Sequence, residues 1–394
     1  MLPLLNSIML YLSHRVDRSY CIFPRFTFLF KSGTLTMWAV AIYLGLLCVF
    51  YVVSIYVEKS AALRGTNRKS LPAWTDKGLR LFFLLILTFP PMAWMPWLFV
   101  PLVLAYAPTF LDDGEKTGKR TSKWVTSLPI FNFVRWYFSL KVVNAFRADS
   151  PLVTTEGGDG PRLRKDTQYI LGVHPHGFLP VGTLINILST TSNCDGKVFG
   201  GVQVRHLAAS FCFFIPGYRD FILAGGLIDA ARYNAKRALN PEYGMSLALV
   251  PGGATEALHA GKGRNTLVLR KRRGFIKLAL ETGAHLVPVY SFGENDCFNQ
   301  LAGVFPALSA FQAKVQRVIG ISVPIVTNII PNRAKITTVF GTPLAVPKIP
   351  EGTTPTDAQI DDLMARYIVA LTELFDTHAP TYIEDPAHRK LEIL

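Results

Sequence analysis

Between Met37 and Val57 the chain runs for 21 residues without a charged side chain, "MWAVAIYLGLLCVFYVVSIYV". A helix needs about 20 apolar residues to cross the hydrocarbon core of a bilayer, so this stretch predicts a membrane-embedded segment rather than a buried soluble helix. Trp38 and Tyr56 stand near its ends, where interfacial aromatics gather. A second uncharged stretch, Leu81 to Leu111, contains Pro90, Pro91, Pro96 and Pro101. Proline removes a backbone donor and clashes with the preceding turn, so this segment is expected to break or re-enter rather than form a straight helix.

The loop between the two stretches is basic, with Lys59, Arg64, Arg68, Lys69, Lys77 and Arg80 against Glu58 and Asp76. Basic loops stay on the cytosolic side. The flanks of the two stretches are basic too, which conflicts with a clean crossing and favours a shallow hairpin over residues 37–111, or else leaves the topology open. Residues 1–36 carry Arg15, Arg18, Arg25 and Lys31 against Asp17. That composition suits a targeting segment, and translation from Met37 is the alternative.

From residue 112 to 394 the pattern is that of an α/β domain, short apolar runs alternating with amphipathic helices. "YILGV" at 169–173, "MSLALVPGG", "AHLVPVYSFG" and "KITTVFG" read as strands. "GFIKLALETG" reads as a helix closed by glycine. The clearest helix opens with Thr356 and Gln359 as a capping box and carries an apolar face through Ile360, Leu363, Met364, Tyr367, Ile368, Leu371, Leu374 and Phe375. The five cysteines are scattered with no CxxC pair, which suggests neither a disulfide framework nor a cysteine zinc site. A formal charge of +14 suits an anionic partner, but no nucleic-acid recognition module accompanies it.

Chemistry concentrates in three places. "HPHG" at 174–177 ends an apolar strand, and in extended geometry His174 and His176 share a face, with Pro175 stiffening the backbone and Gly177 admitting close approach. A neutral imidazole there can take a proton from a hydroxyl. A histidine satisfied by backbone contacts is the structural alternative. A zinc site completed by Glu256 or His206 is disfavoured, since no metal-binding signature surrounds the pair. "PGGATEAL" at 251–258 reads as a strand-to-helix turn whose amides at Gly252 and Gly253 could bind an anion, with Glu256 able to orient an imidazole as in a triad. Arg270, Lys271, Arg272 and Arg273 can pair with phosphates or form a solvated or membrane-facing patch.

In their order, "HPHG", "PGGATEAL", "LRKRRGFIKLAL", "LVPVYSFGEND" and "ITTVFGTPLAVPKI" resemble the motifs of the type 2 family of acyl-CoA:diacylglycerol acyltransferases. That family includes monoacylglycerol and wax-alcohol acyltransferases. The resemblance covers residues 120–378. It implies a glycerolipid-acyltransferase-like mixed sheet with flanking helices, and transfer of a fatty acyl group from acyl-CoA, a substrate and not a cofactor, to a lipid alcohol. Diacylglycerol is the first acceptor, with monoacylglycerol or a long-chain alcohol second and a non-catalytic lipid-binding relative as the competing class. By resemblance His176 is the base, His174 shapes the site or assists, Glu256 orients His176, and Gly252 and Gly253 face the oxyanion. Gly177, Arg270 to Arg273, Glu294 and Asn295 then contact substrate. The endoplasmic reticulum membrane and the lipid droplet surface are the implied locations, with a plastid and a homo-oligomer left open. Two departures stand out: "WYFSL" replaces the Tyr-Phe-Pro of many members, and Val181 occupies the place, five residues after His176, of the aspartate in the broader glycerolipid acyltransferases.

Overall fold

A computed structural model describes residues 95–156, 160–300 and 326–394 apart from 329 and 351, with isolated positions between 77 and 88 and Gln312. The chain divides into compact units 1–59 and 60–394. The described residues belong to the second, so the run at 37–57 lies outside them. Among the described residues no helix is long and apolar enough to cross a membrane.

Helix α1 (Pro96–Phe110) occupies the second uncharged stretch and continues through Pro101 and Pro108. Within the stretch expected to break or re-enter, the helix therefore starts at Pro96 and runs through Pro101. A proline removes one N–H from the ladder; the remaining bonds and the burial of Val103 and Phe110 hold the helix together.

After α1 come α2 (Gly114–Thr117), α3 (Lys123–Thr126) and α4 (Pro129–Tyr137), then strands β1 (Lys141–Ala145), β2 (Val153–Thr154), β3 (Arg162–Leu163) and β4 (Tyr169–His174). Next are α5 (Val181–Leu188), β5 (Gln203–Ala208), α6 (Tyr218–Ala224), β6 (Leu227–Asp229), α7 (Arg232–Ala238), β7 (Met245–Leu249) and α8 (Gly253–Ala257). The chain closes with β8 (Thr266–Leu267), α9 (Gly274–Thr282), β9 (His285–Phe292), β10 (Thr337–Gly341), α10 (Asp357–Tyr382) and β11 (Glu392–Ile393).

The main sheet has seven strands in the order β1-β10-β9-β4-β7-β5-β6, and only the β10–β9 pairing is antiparallel. Strand β4 sits at its centre between β9 and β7 and is buried at every residue. That explains its unbroken apolar run: a strand covered on both faces has no solvent side to keep polar. Ile170 packs toward α9 and α10, while Tyr169, Leu171 and Val173 pack into the opposite layer with Ile187, Val198 and Phe199. The capping box on Thr356 and Gln359 forms, and Tyr367, Leu371 and Phe375 of α10 are buried against the sheet.

A buried ion network ties the start of the domain to α6. Arg219 is fully buried and reaches Glu115 Oε2 at 2.7 Å, Asp112 Oδ1 at 2.6 Å and the Thr109 carbonyl at 2.8 Å. Arg80 joins Glu115 from the other side and donates to the Asp112 carbonyl at 2.8 Å. The network thus joins Arg80 and the residues after α1 to α6.

Candidate active site

Strand β4 ends at His174, the His174–Pro175 peptide is cis, and Gly177 takes φ +60°. A side chain at Gly177 would be strained in that left-handed conformation and would press on Glu294, 3.1 Å from a built Cβ. The extended geometry assumed from the sequence stops here, so the two histidines have separate environments. His174 Nε2 lies 3.1 Å from Tyr367 Oη, which donates its proton to the Gly172 carbonyl at 3.1 Å. The hydroxyl can therefore only accept from His174, which fixes the Nε2–H tautomer. Complete burial holds the His174 pKa down to about 3. His174 is a neutral structural side chain under the turn.

His176 differs. Its Nδ1 lies 3.0 Å from the Gly177 carbonyl, an acceptor only, so Nδ1 carries the proton and Nε2 keeps its lone pair. Burial lowers its pKa, opposed by the bond to Gly177, and keeps the ring neutral near neutral pH. Nε2 has no hydrogen-bond partner among the described residues. His206, on β5, is close enough to interact electrostatically with His176; its own Nε2 is buried and unpartnered.

Glu256 reaches His176 through the backbone. Its Oε1 accepts the His176 N–H at 2.7 Å and its Oε2 accepts the Val268 N–H at 2.9 Å. The triad geometry expected from the sequence, carboxylate to imidazole, is replaced by a clamp on the main chain that carries the imidazole. The carboxyl folds back over Gly252, where a Cβ would lie 2.1 Å from Oε2, so only glycine fits. Burial pushes the Glu256 pKa up to about 7 against the pull of its two amide bonds.

The candidate oxyanion amide at Gly253 is already bonded to the Val250 carbonyl at 3.2 Å. The basic run is divided. Arg272 bonds the Gly252 carbonyl at 3.1 Å and the Thr255 hydroxyl, bracing the glycine turn. Arg273 pairs with Asp361 at 2.8 Å and Asp357 at 3.1 Å on the first turn of α10. Arg270 donates to the Ile393 carbonyl at 3.1 Å, while Lys271 is exposed.

Glu294, assigned to substrate by resemblance, is buried beneath the turn and accepts from the Gly182 amide at 3.0 Å and from Ser291 Oγ at 2.9 Å. Through the Gly182 amide it caps the first turn of α5 from a distant strand end. Asn295 donates to the Arg264 carbonyl at 2.7 Å, with its Oδ1 buried and unpartnered. Sequence reasoning missed Tyr367 as a polar partner, because its ring obeys the apolar periodicity of α10. It also missed a cleft of about 700 Å³ that reaches Pro175 and is lined by Lys262, Arg264, Arg333 and Lys335.

Two expectations follow. Glu256→Gln should destabilise the fold by about 1–3 kcal/mol as well as slow turnover, since an amide –NH2 would face one of the two N–H donors; denaturant unfolding beside an activity assay checks this. Tyr367→Phe strands the His174 Nε2–H, so unfolding should show a loss of about 1–3 kcal/mol.

The pH dependence has a definite sign. Burial raises Glu256 and Glu294 to about 7, so each contributes stability that is full below the unfolded value of about 4.5 and is lost as pH rises through about 7. Burial lowers His174 to about 3 and His206 to about 4, so their contribution is full above the unfolded value of about 6.5 and is lost as pH falls toward those values. The opposing slopes nearly cancel between about pH 4.5 and 6.5, so stability is highest across that range, and melting temperatures at pH 3 and pH 9 should both be lower.

Fold and site together define a mixed α/β protein that presents one neutral imidazole, backed by a buried carboxylate clamp, just beyond the end of a central strand. The chain belongs to the diacylglycerol acyltransferase family, whose model, described as "Diacylglycerol acyltransferase", matches residues 87–393. It is 32% identical over 307 residues to diacylglycerol O-acyltransferase 2B of Umbelopsis ramanniana, covering 75% of this chain and 82% of that one. It is 34% identical over 278 residues to human 2-acylglycerol O-acyltransferase 3, covering 68% of this chain and 76% of the relative. Against the crystal structure of the 1-acyl-sn-glycerophosphate acyltransferase PlsC of Thermotoga maritima the TM-score is 0.36 at 13% identity, over 88% of this chain and 98% of that one. That likeness is too slight to carry an argument.

Proposed function

We propose that this protein transfers a fatty acyl group from acyl-CoA to the free hydroxyl of diacylglycerol, making triacylglycerol. The observation that carries the reading is the neutral His176, its Nδ1–H held by the Gly177 carbonyl and its Nε2 left as a base. Nε2 takes the hydroxyl proton as the acceptor oxygen attacks the thioester carbonyl. The new C–O bond forms, the C–S bond breaks, and the departing sulfur takes the proton back from the imidazolium as free CoA. Glu256 and Glu294 are positioning residues: one clamps the His176 amide and the other fixes the helix that follows.

The acceptor follows the family and the relatives named diacylglycerol O-acyltransferase. A monoacylglycerol acceptor is the second reading, favoured by a similar level of identity to the human 2-acylglycerol enzyme. The uncharged stretches within 37–111 embed the enzyme where its acceptor dissolves, in the endoplasmic reticulum membrane and at lipid droplets. Microsomes from cells lacking their own triacylglycerol synthesis, given labelled oleoyl-CoA with diacylglycerol, monoacylglycerol or hexadecanol, decide the acceptor. Triacylglycerol from supplied diacylglycerol is expected. Wax ester or diacylglycerol as the main product overturns the acceptor assignment, and no product from any acceptor favours a lipid-binding role.

A further inference from the structure

The cleft beside Pro175 has no part in the chemistry described so far, and its lining is unusual. Four cations, Lys262, Arg264, Arg333 and Lys335, come together there from two separated parts of the chain. None of the four makes an ion pair among the described residues; the Arg333 guanidinium lies over the Trp136 ring at 4.7 Å. Three acids share the cleft: Asp296 Oδ1 accepts the Gly263 N–H at 3.0 Å, Asp385 Oδ1 accepts the Ala387 N–H at 2.9 Å while its Oδ2 lies 3.5 Å from His388 Nε2, and Glu384 is exposed, so the cations outnumber the acids by one. A second, independent feature points to a ligand. Asn295 lines the cleft with 7% of its surface exposed, and its Oδ1 is buried without a donor. Burying an acceptor unpaired costs about 1–3 kcal/mol, which a bound donor would remove.

We propose that this cleft takes the phosphorylated nucleotide end of the acyl donor. The inference rests on the reading of this chain as an enzyme that uses a CoA thioester. Clustered guanidinium and ammonium groups suit phosphates. The orphaned Asn295 carbonyl oxygen suits a hydroxyl or amino donor, both of which a nucleoside carries. The cleft reaches Pro175, the residue before His176, so a donor anchored by its nucleotide can extend its thioester toward Nε2. The basic run at 270–273 suits the task less well, because Arg272 braces the glycine turn and Arg273 is paired with α10.

The test reads binding directly, so it stands whether or not the protein turns over. The full chain in detergent is titrated with free CoA, with 3′-phosphoadenosine 5′-phosphate and with vesicles containing phosphatidic acid, alongside Arg264→Gln, Lys335→Gln and Lys271→Gln. The expected result is a loss of CoA affinity of about tenfold or more in Arg264→Gln and in Lys335→Gln, with melting temperatures kept and the nucleotide competing with CoA in the wild type. Unchanged CoA binding in both variants overturns the proposal, as does a wild-type chain that binds no CoA. A loss confined to Lys271→Gln returns the nucleotide to the exposed basic run and also overturns it. Variants that lose vesicle binding but keep CoA assign the cations to lipid phosphate instead. Acyl transfer by a wild-type chain whose cleft variants bind CoA normally would leave the enzyme reading standing and this one refuted.

Discussion

Glu115→Ala should lower the stability of the domain by about 3–5 kcal/mol, the cost of leaving buried cations without their counter-charge. Glu115 is 1% exposed and stands between Arg80 and the fully buried Arg219, whose Nη2 lies 2.7 Å from it. Removing the carboxylate leaves the fully buried Arg219 with Asp112, which is itself partly exposed, and with Asp220 at 4.0 Å. Arginine cannot shed its charge, so the burial penalty cannot be relieved by deprotonation. Because the network joins residues 80 and 112–115 to α6, the loss should appear as early protease cutting before α2 along with a lower denaturant midpoint. A change below about 0.5 kcal/mol, the range of an ordinary surface substitution, would mean that the network is solvated in solution.

His176→Ala should reduce acyl transfer by a factor of about 10² to 10⁴, the usual contribution of a positioned general base. The contact of Glu256 with the turn goes through the His176 main-chain N–H, which alanine keeps, so the clamp and the course of the turn should survive. Turnover is lost and the fold is retained. The prediction separates His176 from His174, where the side chain itself is the structural element. His174→Ala removes the partner of Tyr367 from a fully buried site, so its main effect should be on folded protein rather than on the chemistry of what remains folded.

Local periodicity made much of this fold legible. The runs around 169–173, 245–249, 285–292 and 337–341 became strands because each alternates or concentrates apolar residues over the length of one sheet crossing. Helix α10 began at its expected capping box. The site was legible as a set of residues but not as a set of roles. Spacing within "HPHG" marked the strand end at His174 but could not reveal that the turn beyond it gives the two histidines separate environments, nor that the hydroxyl paired with His174 lies 193 residues away. Glu256 carried the right charge for an orienting carboxylate, yet its reach to a backbone amide depends on how the glycine turn folds beneath it. Arg273 looked free because the acids that pair with it, Asp357 and Asp361, sit on a distant helix. The cleft is assembled from separate segments, so no local pattern announces it. Pro101 is tolerated within α1, where the local penalty is outweighed by the rest of the helix.

The central claim is that one histidine of the pair carries the chemistry. Labelled triacylglycerol formed from oleoyl-CoA and diacylglycerol should be measured for the wild type, His176→Ala, His174→Ala and Tyr367→Phe, each normalised to folded protein. The account predicts loss of transfer in His176→Ala at undiminished folded yield. It predicts that His174→Ala and Tyr367→Phe lose activity mainly in step with folded protein. Transfer by folded His176→Ala at the wild-type rate would contradict it.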